Sequence, residues 1–254
     1  MQAGKEEIAV KKRAFILAAG IGSRLGQLTS DKPKALVRIN EIPLIEIVLK
    51  KLIRQGFSEI MINLHHFGEL IREWISNNGP WNAEILFSDE SGLLRDTGGA
   101  IRHASAFFSK GPVLVHNVDI LSDLDLSEFW TSFFTSDAAA LLAVRSPRSN
   151  RRLVFDEKMF LTGWENIKTG ERRWINEPGP GTPYSFSGIS VLSPGILEYL
   201  PDKERFSLID LLLQPPLKQK VKGYIHDSGY WLDAGRPEHL DKAAKDFPIF
   251  NPDL

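Results

Sequence analysis

The sequence predicts an α/β fold, doubly wound around a mostly parallel sheet, and three observations predict it. Strand and helix signals alternate through the first half, with helical stretches of roughly 10–15 residues between strands, the spacing of βαβ crossovers. The first apolar run breaks at once into a glycine-rich, basic loop, and in open α/β sheets such strand ends line the ligand crevice. At 254 residues the chain suits one large domain with a full core and is short for two.

Residues 14–18 read as the first strand. After the loop, 35–39 is short and extended, and Asn40-Glu41 turns the chain. Pro43 suits a first helical position; Leu44, Ile47, Val48, Leu52 and Ile53 then recur at helical spacing until Gly56 stops the run. Residues 59–64 form a second strand, and Leu70, Ile71, Trp74 and Ile75 mark a second helix, broken at 77–80. A third strand covers 84–88, a third helix 98–108, a fourth strand 113–116, and a further strand 138–144. Beyond 145 the texture changes. Residues 152–164 look like a hairpin turning at Asp156-Glu157-Lys158, and 166–183 is a Gly- and Pro-rich loop expected over the substrate side. Strands return at 184–192, 221–225 and 229–232, with helices at 194–200, 207–214 and 237–246.

Composition narrows the function classes. A formal charge of −1 leaves no footprint for nucleic acid or an anionic membrane. Cysteine is absent, which excludes disulfides, thiolate chemistry and Cys-based metal sites. Residues 1–13 are polar, without the apolar stretch of a signal peptide, and no run approaches the ~20 apolar residues of a membrane span. A soluble cytoplasmic protein is expected. The six histidines are scattered without ligand spacing, and His65-His66 reads as surface or core.

The loop after the first strand carries the chemistry. Gly20, Gly22 and Gly26 let backbone approach a ligand closely, and Arg24, Lys32 and Lys34 add fixed positive charge around Pro33. Bare N–H groups beside such charge suit a polyphosphate. The spacing G-x-G-x-x-x-G is neither the dinucleotide fingerprint nor a Walker loop. A dinucleotide-binding reductase would need an acid about 20 residues further on, and Glu41 sits near that distance.

The loop with its Pro33-Lys34-Ala35-Leu36 sequel resembles the signature of sugar-1-phosphate nucleotidyltransferases. The resemblance runs over residues 14–247 with the motifs in the family's order, and it implies a GT-A-like fold with a C-terminal acceptor-binding insertion. A single domain over 1–254 is implied, with a nucleotide half at 14–145 and a sugar-phosphate half at 146–247. Leu17, Ala18, Ala19, Gly20, Gly22 and Ser23 would hold the nucleoside triphosphate. Arg24 would stabilise the departing pyrophosphate, and Lys34 would support the α-phosphate. Asp96-Thr97-Gly98-Gly99-Ala100-Ile101 is similar to the segment whose flat glycine backbone meets the base, through Thr97 and Gly98, a reading favoured here over plain helix capping.

His116-Asn117-Val118-Asp119 matches the family's N-G-D run, with Asn117 toward the nucleotide and Val118 in place of glycine near the ribose. Trp231-Leu232-Asp233-Ala234-Gly235-Arg236-Pro237 matches W-x-D-x-G-T/R-P. Asp119 and Asp233 are thereby implied as ligands of Mg²⁺, a hard cation that takes one or two carboxylates plus phosphate and water. The run 184–194 resembles that of bacterial N-acetylmuramate-1-phosphate uridylyltransferases, placing Gly188 beside the sugar; glycine there also reads as a bulge. Where relatives carry E-K-P, this chain has Asn176-Glu177-Pro178, so Arg151 is the substitute positive charge and Glu177 an acceptor for sugar hydroxyls. The expected partners are an NTP, UTP favoured, and a sugar 1-phosphate, N-acetylmuramic acid 1-phosphate first. GTP with a mannose- or heptose-type 1-phosphate is the alternative, and a catalytically silent nucleotide sensor is the alternative of another class.

Overall fold

The computed structural model describes residues 10–177 and 179–250. The first nine residues, and Pro178 of the Asn176-Glu177-Pro178 run, lie outside the described residues. The chain begins, in order, with β1 (Arg13–Leu17), β2 (Arg38–Ile39), β3 (Ile42–Pro43), α1 (Leu44–Arg54), β4 (Glu59–Leu64), α2 (Gly68–Asn77), β5 (Glu84–Asp89), α3 (Asp96–His103), α4 (Ser105–Phe108) and β6 (Val113–Asn117). There follow β7 (Ile120–Ser122), α5 (Leu126–Thr135), β8 (Ala140–Arg145), β9 (Arg151–Phe155), β10 (Leu161–Asn166), β11 (Glu171–Trp174) and β12 (Thr182–Leu192). The chain continues through α6 (Leu208–Leu212), β13 (Val221–Ile225), β14 (Trp231–Asp233) and α7 (Pro237–Lys245).

Ten strands form one sheet among the described residues, along the path β11-β10-β9-β12-β6-β1-β4-β5, with β8 and β13 branching from β12. The block β6-β1-β4-β5 is parallel. β12 enters antiparallel to β6, β8 and β9, so β9, β10 and β11 attach as an antiparallel wing, while β13 pairs parallel with β8. The central parallel strands β1 and β6 are apolar over most of their length and buried on both faces, while the edge strand β5 is only partly covered. Ala14 and Ile16 face one core and Phe15 the other, all fully buried. One core packs α1 and α5 beneath the sheet; the other packs α3, α4 and α6.

Several expectations needed correction. The loop expected at 166–183 contains β11, which the antiparallel wing places at the outer edge of the sheet. The helix expected over 98–108 breaks at Ala104 into α3 and α4. Residues 194–199 make a 3-10 helix opened by Pro194, and 229–232 resolves into β14, which pairs with β7 outside the main sheet. α5 was not anticipated, although Leu126, Phe129, Trp130 and Phe133 recur at helical spacing behind an Asp125 N-cap. Glu41 sits exposed in the β2–β3 turn, paired with Arg38, and takes no part in the cleft described below. Among the described residues no helix is long and apolar enough to cross a membrane.

Candidate active site

β1 continues outward into β4 and β5 on one side, while β6 lies on the other, so the strand order reverses between β1 and β6. Ligands of doubly wound sheets bind at the carboxyl ends of strands flanking such a reversal. A cleft of about 300 Å³ opens there, bounded by Leu17 at the end of β1 and Asn117 at the end of β6. Arg24, Lys34, Glu90, Asp119 and Arg205 also line it.

The glycine loop folds tightly. Gly22 has φ +72, and a Cβ there would fall 2.9 Å from Thr29 Cγ2 and 3.1 Å from Lys34 Cβ. Residues Ser23–Thr29 coil into a 3-10 helix closed by the Thr29 hydroxyl donating to Gly22 O at 3.1 Å. Two of the N–H groups expected to be bare are occupied. Ala18 and Ala19 donate to Asn63 Oδ1 at 2.6 and 3.0 Å, which fixes the start of the loop against β4. Gly20 is exposed, with open space where a side chain would lie.

The charged residues gather beyond the loop. Pro33 is extended, and a 3-10 turn over Lys34–Leu36 buries Ala35 and turns the Lys34 ammonium onto Asp119 Oδ2, a close ion pair. Asp233 arrives on β14, and its Oδ1 accepts from Gly235 N at 2.8 Å. Arg24 Nη1 reaches Asp233 Oδ2 at 3.4 Å. A Cβ at Gly235 would lie 2.7 Å from Asp119 Oδ2, 2.7 Å from Lys34 Nζ and 2.8 Å from Asp233 Oδ1, so three charged groups converge on the space that glycine leaves.

Burial pushes the Asp119 carboxyl up; Lys34 opposes and the neighbouring Asp233 adds to the rise. Asp233 is held below the usual range. Its own burial acts upward, but the Gly235 N–H, the Asp119 hydrogen bond and the charges of Arg24 and Lys34 outweigh it. No cluster of three His, Cys, Asp or Glu suited to a metal occurs among the described residues. Two adjacent carboxylates fit an ion that brings phosphate and water as its other ligands, and not a closed site made by protein alone.

The Asp96–Ile101 segment does something different from what was expected. Gly98 and Gly99 donate their N–H groups to Phe206 O at 2.9 and 3.0 Å. A Cβ on Gly98 would strike the Phe206 ring at 2.5 Å, and one on Gly99 would lie 2.4 Å from Glu204 O. The glycine pair therefore packs against the 204–207 segment and turns no bare backbone toward the cleft. The Thr97 hydroxyl accepts from Leu208 N at 2.7 Å, tying α3 to α6, while Thr97 still lines the cleft. Val118 is 2 % exposed and packs into the core, yet it also lines the cleft between Asn117 and Asp119, so a branched side chain does stand at the cleft wall.

On β12, Gly188 has φ +76, and a Cβ there would lie 2.9 Å from Asn117 Nδ2. The β12 register shifts around it, so the glycine marks a bulge that brings β12 against the end of β6. Arg151 is exposed at the start of β9 opposite Asn166, and Glu177 is exposed beyond β11; neither lines the cleft. Both ride on the antiparallel wing, which lies beyond β12. Arg205 supplies positive charge at the cleft instead, held there because its neighbours clamp onto Gly98 and Gly99.

Glu90 was also missed. It is 2 % exposed, its Oε1 accepts from Asn63 Nδ2 at 2.9 Å, and Oε2 is buried with no partner. Burial raises its pKa. Its position just past the end of a strand is the one sequence signal that could have found it.

Residues 13–152 match the nucleotidyl transferase family model. An N-acetylmuramate alpha-1-phosphate uridylyltransferase of Caulobacter vibrioides is 28% identical over 89% of this chain and 93% of its own length. A D-glycero-alpha-D-manno-heptose 1-phosphate guanylyltransferase of Campylobacter jejuni is also 28% identical, over 89% of this chain and 96% of its own. The crystal structure of HddC from Yersinia pseudotuberculosis complexed with GMP-PN superposes with a TM-score of 0.75 at 25% identity, covering 93% of this chain and 99% of that one.

Proposed function

The chain belongs to the nucleotidyl transferase family, and from that premise we propose that it condenses UTP with N-acetylmuramic acid 1-phosphate to give the UDP-sugar and pyrophosphate. The coarser activity is that of a sugar-1-phosphate nucleotidyltransferase, as in the uridylyl- and guanylyltransferases it resembles. The observation that carries the proposal is the meeting of Arg24, Lys34, Asp119 and Asp233 at the switch point of the sheet.

An oxygen of the acceptor phosphate attacks the α-phosphorus, and the bond from that phosphorus to the bridging oxygen of pyrophosphate breaks, taking its electron pair with it. The attacking phosphate is already ionised, so positioning and charge neutralisation supply the catalysis and no side chain need act as nucleophile. Lys34, released from Asp119 by the incoming triphosphate, holds the α-phosphate. Arg24, exposed and weakly tied to Asp233, swings to the departing pyrophosphate. Asp119 and Asp233 would hold Mg²⁺, which supplies neutralisation of the triphosphate charge. Residues 14–145 serve the nucleotide and 146–247 the sugar phosphate, with Arg205 as the cation toward that phosphate.

Glu90 lines the cleft with Oε1 engaged by Asn63 and Oε2 without a partner, an acceptor suited to a base N–H, and it does not by itself separate uracil from guanine. The sugar is supported by the 184–194 run and by the uridylyltransferases of Caulobacter vibrioides and Neisseria meningitidis. GTP with a heptose 1-phosphate is the second reading, favoured by the Campylobacter jejuni relative and the GMP-PN complex. Pyrophosphate release across the common nucleoside triphosphates and a panel of sugar 1-phosphates decides between them. Fastest turnover with UTP and N-acetylmuramic acid 1-phosphate is expected; faster turnover of a sugar without the lactyl group would overturn the sugar, and a preference for GTP the base.

A further inference from the structure

A second pocket, about 60 Å³, lies on the acceptor side, bounded by Arg145, Arg148, Ser149, Ser185, Ser187 and Trp231. Arg145, the last residue of β8, is 3 % exposed. Its Nη2 donates to the carbonyls of Asp227 and Gly229 at 2.8 and 2.9 Å. Nε and Nη1 are buried with no partner. Asp227 and Asp123 act on the guanidinium through their charge without a side-chain hydrogen bond to it, and Asp227 spends its carboxylate on Ser146, accepting from the backbone N at 2.7 Å and the hydroxyl at 2.6 Å. Each unmade buried donor costs about 1–3 kcal/mol, more on a charged group, so a guanidinium left this way is matched to an anion from outside.

The pocket wall is built. The Arg148 and Ser149 N–H groups both donate to Ser185 Oγ, at 2.9 and 3.2 Å, which sets the Arg148 side chain at the rim. Trp231 Nε1 donates to Ser187 O at 2.9 Å and stands its indole as a flat wall. The Ser187 hydroxyl faces His226 Nε2 at 2.7 Å, and burial keeps that imidazole neutral, with a pKa near 4. A liquid water occupies roughly 30 Å³, so the space suits a carboxylate and is far too small for a pyranose.

Its position gives it a role. Trp231 and Asp233 alternate on β14 and share a face, about 7 Å apart at 3.3–3.4 Å per residue. Gly188, next to Ser187, sits against Asn117 at the end of β6. The Trp231 wall of the pocket thus stands two residues along β14 from Asp233, on the same face. We propose that it holds a second anionic group of the acceptor, a carboxylate carried on the sugar, while the main cleft holds the 1-phosphate. The inference rests on the sugar 1-phosphate reading of the cleft and names what distinguishes the acceptor.

The test compares kcat and KM with UTP for two matched acceptor pairs: N-acetylmuramic against N-acetylglucosamine 1-phosphate, and glucuronic acid against glucose 1-phosphate. Wild type, Arg145→Gln and Arg148→Ala are assayed; Arg148 is exposed, so that variant folds even where Arg145→Gln does not. Loss of one charged hydrogen bond, about 1.5–3 kcal/mol, is a KM rise of about tenfold or more. That rise is expected for at least one carboxylated acceptor, with neutral acceptors within about twofold and kcat little changed. Equal losses on both members of a pair would assign the arginines to the 1-phosphate or to packing and overturn the inference, as would a wild-type preference for the neutral member of each pair. A carboxylate effect confined to the glucuronic pair keeps the pocket and removes N-acetylmuramate. Should no acceptor turn over, the transferase reading fails, and calorimetric binding of N-acetylmuramic acid 1-phosphate to wild type and Arg148→Ala still reads the pocket: weaker binding to the variant supports it, equal binding overturns it.

Discussion

Arg24 is half exposed and touches the protein's charges through one long contact to Asp233, whereas Lys34 is buried against Asp119. A side chain so loosely held is free to follow charge as it moves from substrate to pyrophosphate. Arg24→Ala is therefore expected to lower kcat and kcat/KM together, the pattern of a lost transition-state contact. A rise in the KM for UTP alone would make Arg24 a ground-state binder. Arg24, Lys34, Asp119 and Asp233 were legible because each stands in a short motif of glycine, proline or tryptophan at a strand end. Glu90, Asn63, Arg205 and Arg145 were not. Their sequence surroundings are ordinary, and their importance comes from burial and from partners such as the Asn63–Glu90 pair, 27 residues apart.

At the scale of elements, β1, α1, β4, α2, β5 and β6 could be read from periodicity, because parallel strands buried on both faces are continuous apolar runs between amphipathic helices. β7 is three residues long and pairs only with β14, too short to carry a pattern, whereas β14 overlaps the strand expected at 229–232. The α3–α6 contact was unreadable for a different reason: the Gly98-Gly99 pair looks alike whether it faces a ligand or another backbone. Gly98→Ala would press a methyl group into the Phe206 ring and Ser207 O. A loss of stability of about 1–3 kcal/mol is expected from such overpacking. Denaturant unfolding measures it, and the prediction also includes weaker acceptor binding, since the 204–207 segment carries Arg205. Unchanged stability would mean the clamp is slack.

Across the whole molecule, burial of ionisable groups sets the response to acid. His116 is almost wholly buried, and burial lowers its pKa to about 3; His226 is lowered to about 4 in the same way. Both folded values lie below the ordinary 6.5, so the unfolded chain takes up protons first as pH falls. Stability is intact above about pH 6.5 and declines between there and pH 4, by up to about 1.4 kcal/mol per pH unit for each histidine. Thermal midpoints should fall from pH 7 to pH 5, and His226→Gln should flatten the profile; a flat wild-type profile would contradict the account.

The same whole-molecule topology brings Asp119 and Asp233 together from β6 and β14, and the central claim is that they act as one Mg²⁺-holding pair in phosphoryl transfer. The most direct measurement is pyrophosphate release as a function of Mg²⁺ for wild type, Asp119→Asn and Asp233→Asn. Loss of one preorganised electrostatic contact predicts a fall in turnover of about 10²–10³-fold for either variant. The folded state should be retained, with partial rescue at high Mg²⁺ or Mn²⁺. Full wild-type activity in EDTA, or either variant matching wild type at low Mg²⁺, would contradict it.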